Sequence, residues 1–143
     1  MPILTVKISG APNPNTSTNI ASMLVESTAT ILGKQRDVIA VALDYVPEDR
    51  WFVGGAPLST QGKRTFYFDI KITEGTNTKD EIAEFIRHVF KGFEAILGEL
   101  HSESYIYVQE VRGYAYGYGG LTQEHRYIQK RALSSPGLSA GPR

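Results

Sequence analysis

Phe66-Tyr67-Phe68-Asp69-Ile70-Lys71-Ile72 decides how the 143-residue chain is read. Phe66, Phe68, Ile70 and Ile72 alternate with Tyr67, Asp69 and Lys71, the two-residue period of a half-buried strand. Sixty-four residues earlier, Ile3-Leu4-Thr5-Val6-Lys7-Ile8-Ser9 alternates in the same way, and Lys7-Ile8 falls on Lys71-Ile72. The chain therefore starts a second time in its middle.

Working outward, both copies continue alike. After Gly10-Ala11-Pro12-Asn13-Pro14-Asn15, which is turn chemistry, a helix is expected from about Thr16 or Thr18. Its apolar stripe is Ile20, Ala21, Leu24, Ile31 and Leu32, interrupted by Thr28, and Gly33 stops it. After Glu74-Gly75-Thr76-Asn77, the Thr78-Lys79-Asp80-Glu81 run is a capping box. Its Thr side chain and Glu side chain satisfy each other's backbone N–H groups. Ile82, Phe85, Ile86, Val89, Phe90, Phe93, Ile96 and Leu97 then recur at helical spacing up to Gly98.

Each helix is followed by a strand. Val38-Ile39-Ala40-Val41-Ala42-Leu43-Asp44-Tyr45-Val46 is nearly all apolar and predicts a central parallel strand covered on both faces. Tyr105-Ile106-Tyr107-Val108-Gln109-Glu110-Val111 is its counterpart. Each copy ends in an aromatic segment: Trp51-Phe52-Val53-Gly54-Gly55, expected as a hinge, and Tyr114-Ala115-Tyr116-Gly117-Tyr118-Gly119-Gly120. Gly33 with Gly98, Trp51 with Tyr116, and Gly54-Gly55 with Gly119-Gly120 all match at a shift of 65.

The reading is an α/β (α+β) fold. Two tandem β-α-β repeats share a four-stranded mixed sheet with two helices on one face, since a crossover helix makes the strands it joins parallel. Residues 1–127 form one domain of repeats 2–60 and 64–127, and 128–143 are a tail that is flexible or contacts another subunit. Tyr67, Tyr105 and Tyr107 fall on the helix-free face, whose natural cover is a second subunit.

Composition limits function. Lys and Arg total 15 and Asp and Glu total 15, so no basic field draws nucleic acid or an anionic membrane. There is no cysteine, and His88, His101 and His125 have no metal-ligand spacing. No run of about 18 apolar residues is present. The expectation is a cytoplasmic protein with no cofactor, no metal, no nucleic-acid partner and no membrane.

Pro2 follows the initiator methionine. Removal of that methionine leaves a prolyl amine, a base and nucleophile, and an ordinary α-amino group titrates near ~7.7–8.0. Burial or a neighbouring cation favours its neutral form and suits a general base.

Pro2, its spacing to Gly54-Gly55, and the tandem repetition with Gln109-Glu110-Val111 and a second aromatic Gly-Gly segment resemble the tautomerase superfamily. That family is built on the β-α-β unit of 4-oxalocrotonate tautomerase. The likeness spans residues 2 to about 125 and is nearest the fused members, the cis-3-chloroacrylic acid dehalogenase-like group. It implies a homotrimer and a small-molecule carboxylate or carbonyl substrate. It also implies a cofactor-independent isomerase that moves a proton on an enol or α-keto acid through Pro2. The second-repeat counterpart of Pro2 is Phe66, an internal amide, so one amine per chain is expected. The dehalogenases' active-site tyrosine falls on Tyr107.

Two family arginines are replaced by Thr73 and Thr76, a third position holds Ala40, and the dehalogenase histidine position is near Ala29. Candidate substitutes for binding substrate are Arg112, Arg64 and Lys71, with Thr73 and Thr76 as hydroxyl donors and Trp51 and Tyr116 as pocket walls. Lys63 and Arg50 read more simply as surface charges. Three alternatives stand beside the tautomerase: a hydratase, dehalogenase or decarboxylase acting on a small unsaturated or oxo acid, a non-catalytic trimeric binding protein, and a pocketless ferredoxin-like scaffold.

Overall fold

A computed structural model describes residues 2–134. The strands are β1 (Ile3–Ser9), β2 (Ala40–Val46), β5 (Phe66–Thr73) and β6 (Tyr105–Val111), with two hairpins, β3 (Phe52–Val53) with β4 (Ala56–Pro57) and β7 (Gly117–Tyr118) with β8 (Leu121–Thr122). The helices are α1 (Pro14–Ile31), α2 (Lys79–Leu97) and α3 (Gln123–Ser134).

The long strands form one sheet in the order β2-β1-β5-β6. β1 runs parallel to β2, pairing Ile3 with Ala40 and Ser9 with Val46. It runs antiparallel to β5, pairing Leu4 with Ile70 and Ile8 with Phe66. Entering β5 and β6, Arg64 and Leu100 form a parallel bridge. The sheet is mixed, with both crossover helices on one face, as the repeat predicts. β1 and β2 pair directly, whereas a ferredoxin-like sheet splits such a unit with a third strand; that alternative is excluded.

The alternation of β5 is strict. Phe66, Phe68, Ile70 and Ile72 are buried, while Tyr67, Asp69, Lys71 and Thr73 are half-buried. Leu4, Val6 and Ile8 of β1 and Phe85, Val89, Phe93 and Leu97 of α2 complete the core with Ile20 and Leu24 of α1. Its densest part is aromatic: the Phe68 ring lies 6.1 Å from Phe85 and 6.4 Å from Phe93.

Helix signals decode locally. Thr78 Oγ1 accepts from Glu81 N, and Glu81 accepts from Thr78 N, closing the predicted capping box. Helix α1 starts earlier than expected, at Pro14. Asn13 caps it by accepting from Thr16 N, and proline suits the first helical position because its missing N–H is unneeded there. Thr28 does not interrupt the buried stripe. It is fully buried with its hydroxyl donating to the Leu24 carbonyl 2.7 Å away.

Two expectations are corrected. β2 is an edge strand within the chain, with Ala40, Ala42 and Asp44 exposed, not a central strand covered on both faces. An apolar run records only that something covers it, not whether the cover lies in the same chain. Gly54-Gly55 is not a hinge but the tight turn of β3–β4. Both residues have positive φ, 62° and 81°, which a two-residue hairpin turn requires and glycine adopts without strain. Helix α3 runs into the expected tail, 128–143, of which 135–143 lie outside the described residues.

Contacts divide the chain into two compact units. Among the described residues, one is 2–71 with 77–109 and the other is 72–76 with 110–134. The first holds most of the sheet, α1, α2 and the first hairpin. The second holds the end of β5, the end of β6, the second hairpin and α3.

Candidate functional site

In the first unit, Pro2 immediately precedes β1 and is buried. Its carbonyl accepts from Ala40 N, 3.3 Å away, which fastens it to the start of β2. Because Leu4 pairs with Ile70, Lys71 sits at the same end of the β1–β5 pair. Its ammonium is held 2.9 Å from Asp69 Oδ1, and that carboxylate is only 13% exposed. Lys71 is thus a neutralised cation on the half-buried side of β5. Tyr107 stands on β6 with half its surface exposed, as does Tyr105.

Arg64 is not at this end. Its Nη2 and Nε donate to the Ser9 carbonyl at 2.6 and 3.1 Å, and Ser9 ends β1. At about 3.3 Å per residue, the strand puts this contact roughly 20 Å from Pro2. Within one chain Arg64 and Pro2 therefore stand at opposite ends of β1. Trp51 lies at the same far end, since β2 runs parallel to β1 and Trp51 follows it; its carbonyl accepts from Leu58 N. A polar cleft of about 230 Å³ opens there, lined by Gly10, Asn13, Thr16, Tyr45, Glu48 and Arg64. Of the expected site residues only Arg64 borders it.

The second unit holds the rest. Thr76 Oγ1 donates to the Thr73 carbonyl at 2.6 Å, closing the turn after β5. Arg112 is exposed, with Nη1 donating to the Tyr114 hydroxyl at 3.0 Å. The Tyr116 carbonyl accepts from Gln123 N at 2.7 Å, so Tyr116 anchors the second hairpin to the start of α3. Of the expected residues, Pro2, Lys71, Tyr107, Arg64 and Trp51 belong to one unit and Thr73, Thr76, Arg112 and Tyr116 to the other.

Residue-type reasoning missed Gln61, His101 and Arg126. Gln61 Nε2 donates to the carbonyls of Val53 and Ala56, clamping β3 to β4. Its Oε1 lies 3.0 Å from His101 Nε2. His101 Nδ1 accepts from Glu103 N, which places the ring proton on Nε2, donating to Gln61. Arg126 Nη2 donates to the Tyr118 carbonyl, and its guanidinium lies 3.9 Å above the Tyr118 ring. The signal that finds Arg126 is the repeat itself, because a shift of 65 carries Gln61 onto it.

Among the described residues no three His, Cys, Asp or Glu side chains stand together as a metal site, and no helix is long and apolar enough to cross a membrane.

No protein-family model matches the chain, and no curated protein sequence does. Solved structures match closely in fold. A wild-type fused 4-OT described as a symmetric trimer superposes with a TM-score of 0.75 at 17% identity, covering 85% of this chain and 96% of that one. Pt0534 inactivated by 2-oxo-3-pentynoate gives 0.76 at 14% identity, covering 87% and 98%. A macrophage migration inhibitory factor-like protein from Entamoeba histolytica gives 0.69 at 19% identity, covering 85% and 97%.

Proposed function

From a chain with the tautomerase-superfamily fold as premise, we propose a cofactor-independent tautomerase whose catalytic group is the Pro2 amine, freed by removal of Met1. The observation that carries this reading is the contrast between Pro2 and Phe66. The two positions correspond in the repeats and both are buried, but the Phe66 nitrogen is an internal amide, whereas removal of Met1 leaves Pro2 a basic amine at the head of β1. A buried secondary amine is desolvated, which favours its neutral, proton-accepting form. It takes a proton from the carbon or oxygen of an enol or α-keto acid and returns it to the other atom. Tyr107 donates to the developing enolate oxygen, the role its exposed hydroxyl suits.

The assembly is a homotrimer. The helix-free sheet face exposes Tyr105 and Tyr107 at 60% and 52%, and the edge strand β2 exposes Ala40 and Ala42, surface that other copies would cover. Trp51 and Tyr116, on segments that end in hairpins, would then meet Pro2 of a neighbour instead of their own. The fused 4-OT neighbour is described as a trimer, which supports this reading.

A hydratase, dehalogenase or decarboxylase needs cations free to hold a carboxylate and activate water. Thr76 is committed to the turn at Thr73, and Lys71 is neutralised by Asp69, so this reading is the weaker one. The same two facts favour a non-catalytic trimeric binding protein as the second reading.

Ketonisation of phenylenolpyruvate separates them. The tautomerase reading expects Pro2→Ala to lower kcat/KM by on the order of 10²- to 10⁴-fold, the usual worth of a positioned general base. Equal rates for both proteins, or no turnover of any keto–enol pair, would favour the binding protein.

A further inference from the structure

The two repeats carry the same latch, built from different chemistry. In the first, Gln61 donates to the Val53 carbonyl; in the second, Arg126 donates to the Tyr118 carbonyl, 3.1 and 3.0 Å. Gln61 maps onto Arg126 and Val53 onto Tyr118 at one shift, 65. The neighbouring anchor repeats too: Leu58 N donates to Trp51 O, and Gln123 N to Tyr116 O. Each hairpin is thus tied to the segment after it in the same way.

This duplication supplies an internal control. A neutral amide is sufficient for the latch, since Gln61 also bridges to the Ala56 carbonyl and to His101. The second repeat instead holds a cation, and most of that cation is idle. Arg126 Nε is buried and, among the described residues, has no hydrogen-bond partner. Leaving a buried charged donor unsatisfied is costly, and a latch alone does not require it.

The surroundings keep the guanidinium in one pose. It stacks on the Tyr118 ring, and a Cβ on Gly119 would stand 2.8 Å from Nη2. The matching Gly54 has open space instead. The buried Nε is out of an incoming ligand's reach, but Nη1 makes no hydrogen bond among the described residues, so a planar guanidinium fixed by stacking can offer its outer Nη1–Nη2 edge to the two oxygens of a carboxylate.

We infer that Arg126 is an anion-binding residue that takes the carboxylate of a small organic acid. Resting on the tautomerase reading, this makes Arg126 the group that selects acid substrates over their uncharged analogues. The Arg126 latch then serves recognition, while the Gln61 latch of the first repeat only holds its hairpin.

The test uses the repeat's own substitution. Arg126→Gln restores the residue that performs the latch at position 61, so the melting temperature and near-UV circular dichroism should stay close to wild type. Binding of phenylpyruvate and of its methyl ester is measured by titration calorimetry, which needs no turnover. Wild type should prefer the acid by on the order of 10- to 100-fold. Arg126→Gln should erase that preference with ester affinity unchanged, and Arg126→Lys, a point charge without the fork, should keep part of it. An acid preference unchanged in Arg126→Gln, acid and ester affinities falling together, or no acid preference in wild type would overturn the inference. Loss of turnover in Pro2→Ala with the acid preference intact would confirm the catalytic reading separately. Acid preference lost in Arg126→Gln, with turnover indifferent to Pro2, would retain the anion site and reject that reading.

Discussion

Phe66 lies flat against Phe93, their ring centroids 3.8 Å apart and their planes 8° from parallel. The position that opens the first repeat as Pro2 is thereby built into the core of the second. Phe66 is fully buried and also lies 6.1 Å from Phe90. Replacing Phe66 with Ala should cost about 3–5 kcal/mol, with Phe66→Leu costing less, by urea unfolding. A loss under about 1 kcal/mol would mean the stack is not a core contact.

Glu81 gives a pH signature. The Thr78 backbone N–H, then the Asn77 side-chain amide, hold its carboxyl below the usual range by bonding its charged form. A carboxyl depressed in the folded state contributes stability that is present above its unfolded pKa, near ~4.3, and is lost as pH falls through the folded value. Glu81→Gln keeps an acceptor oxygen but does not titrate. The wild-type advantage over this variant should be present at neutral pH, begin to shrink as pH drops past the unfolded value near ~4.3, and vanish once pH is below the folded value, read from urea midpoints. A difference independent of pH would contradict the assignment.

Arg64 braces the end of β1. Beside its two bonds to the Ser9 carbonyl, Ser9 Oγ accepts from Thr65 N at 2.9 Å, so both ends of the connection meet at Ser9. Arg64→Met should lower stability by about 1–3 kcal/mol, the range for losing charge-assisted bonds, and leave KM for a keto–enol substrate within about twofold. A large rise in KM with stability unchanged would return Arg64 to the site.

Gln61 is the clamp of the first hairpin, and its two donations leave no slack in the amide's orientation. Gln61→Leu should speed amide hydrogen exchange in residues 52–57 by on the order of 10-fold or more, while exchange in α2 is unchanged. Equal protection in both proteins would show the hairpin holds itself.

The legible parts of the fold share a cause: their signal is local. Alternation in Phe66–Ile72 and the Thr78–Glu81 box each depend on a few neighbouring residues, and both appear in the structure as read. The edge position of β2 is not legible because Ala40-Val41-Ala42-Leu43 has the composition of a covered strand whichever chain covers it. Helix α3 escaped because it is mostly polar, with Tyr127, Ile128 and Leu133 exposed, so no apolar stripe announces it. Arg64 donates to a backbone carbonyl 55 residues away, a partner that no spacing rule reveals. Arg126 was visible only through the repeat. Its charge gave no hint, because the latch bond goes to a carbonyl that every residue carries.

The claim that Pro2 supplies the reacting amine is tested most directly by trapping it. 2-Oxo-3-pentynoate is an electrophile. An amine nitrogen adds to its alkyne carbon, and the amine proton ends on the adjacent carbon, so the adduct carries the whole reagent. Intact-mass and peptide mass spectrometry should show a wild-type chain lacking Met1 that gains one reagent on Pro2, with turnover of phenylenolpyruvate lost in step, and no adduct on Pro2→Ala. Retained Met1, or labelling elsewhere with Pro2 unmodified, would contradict the account.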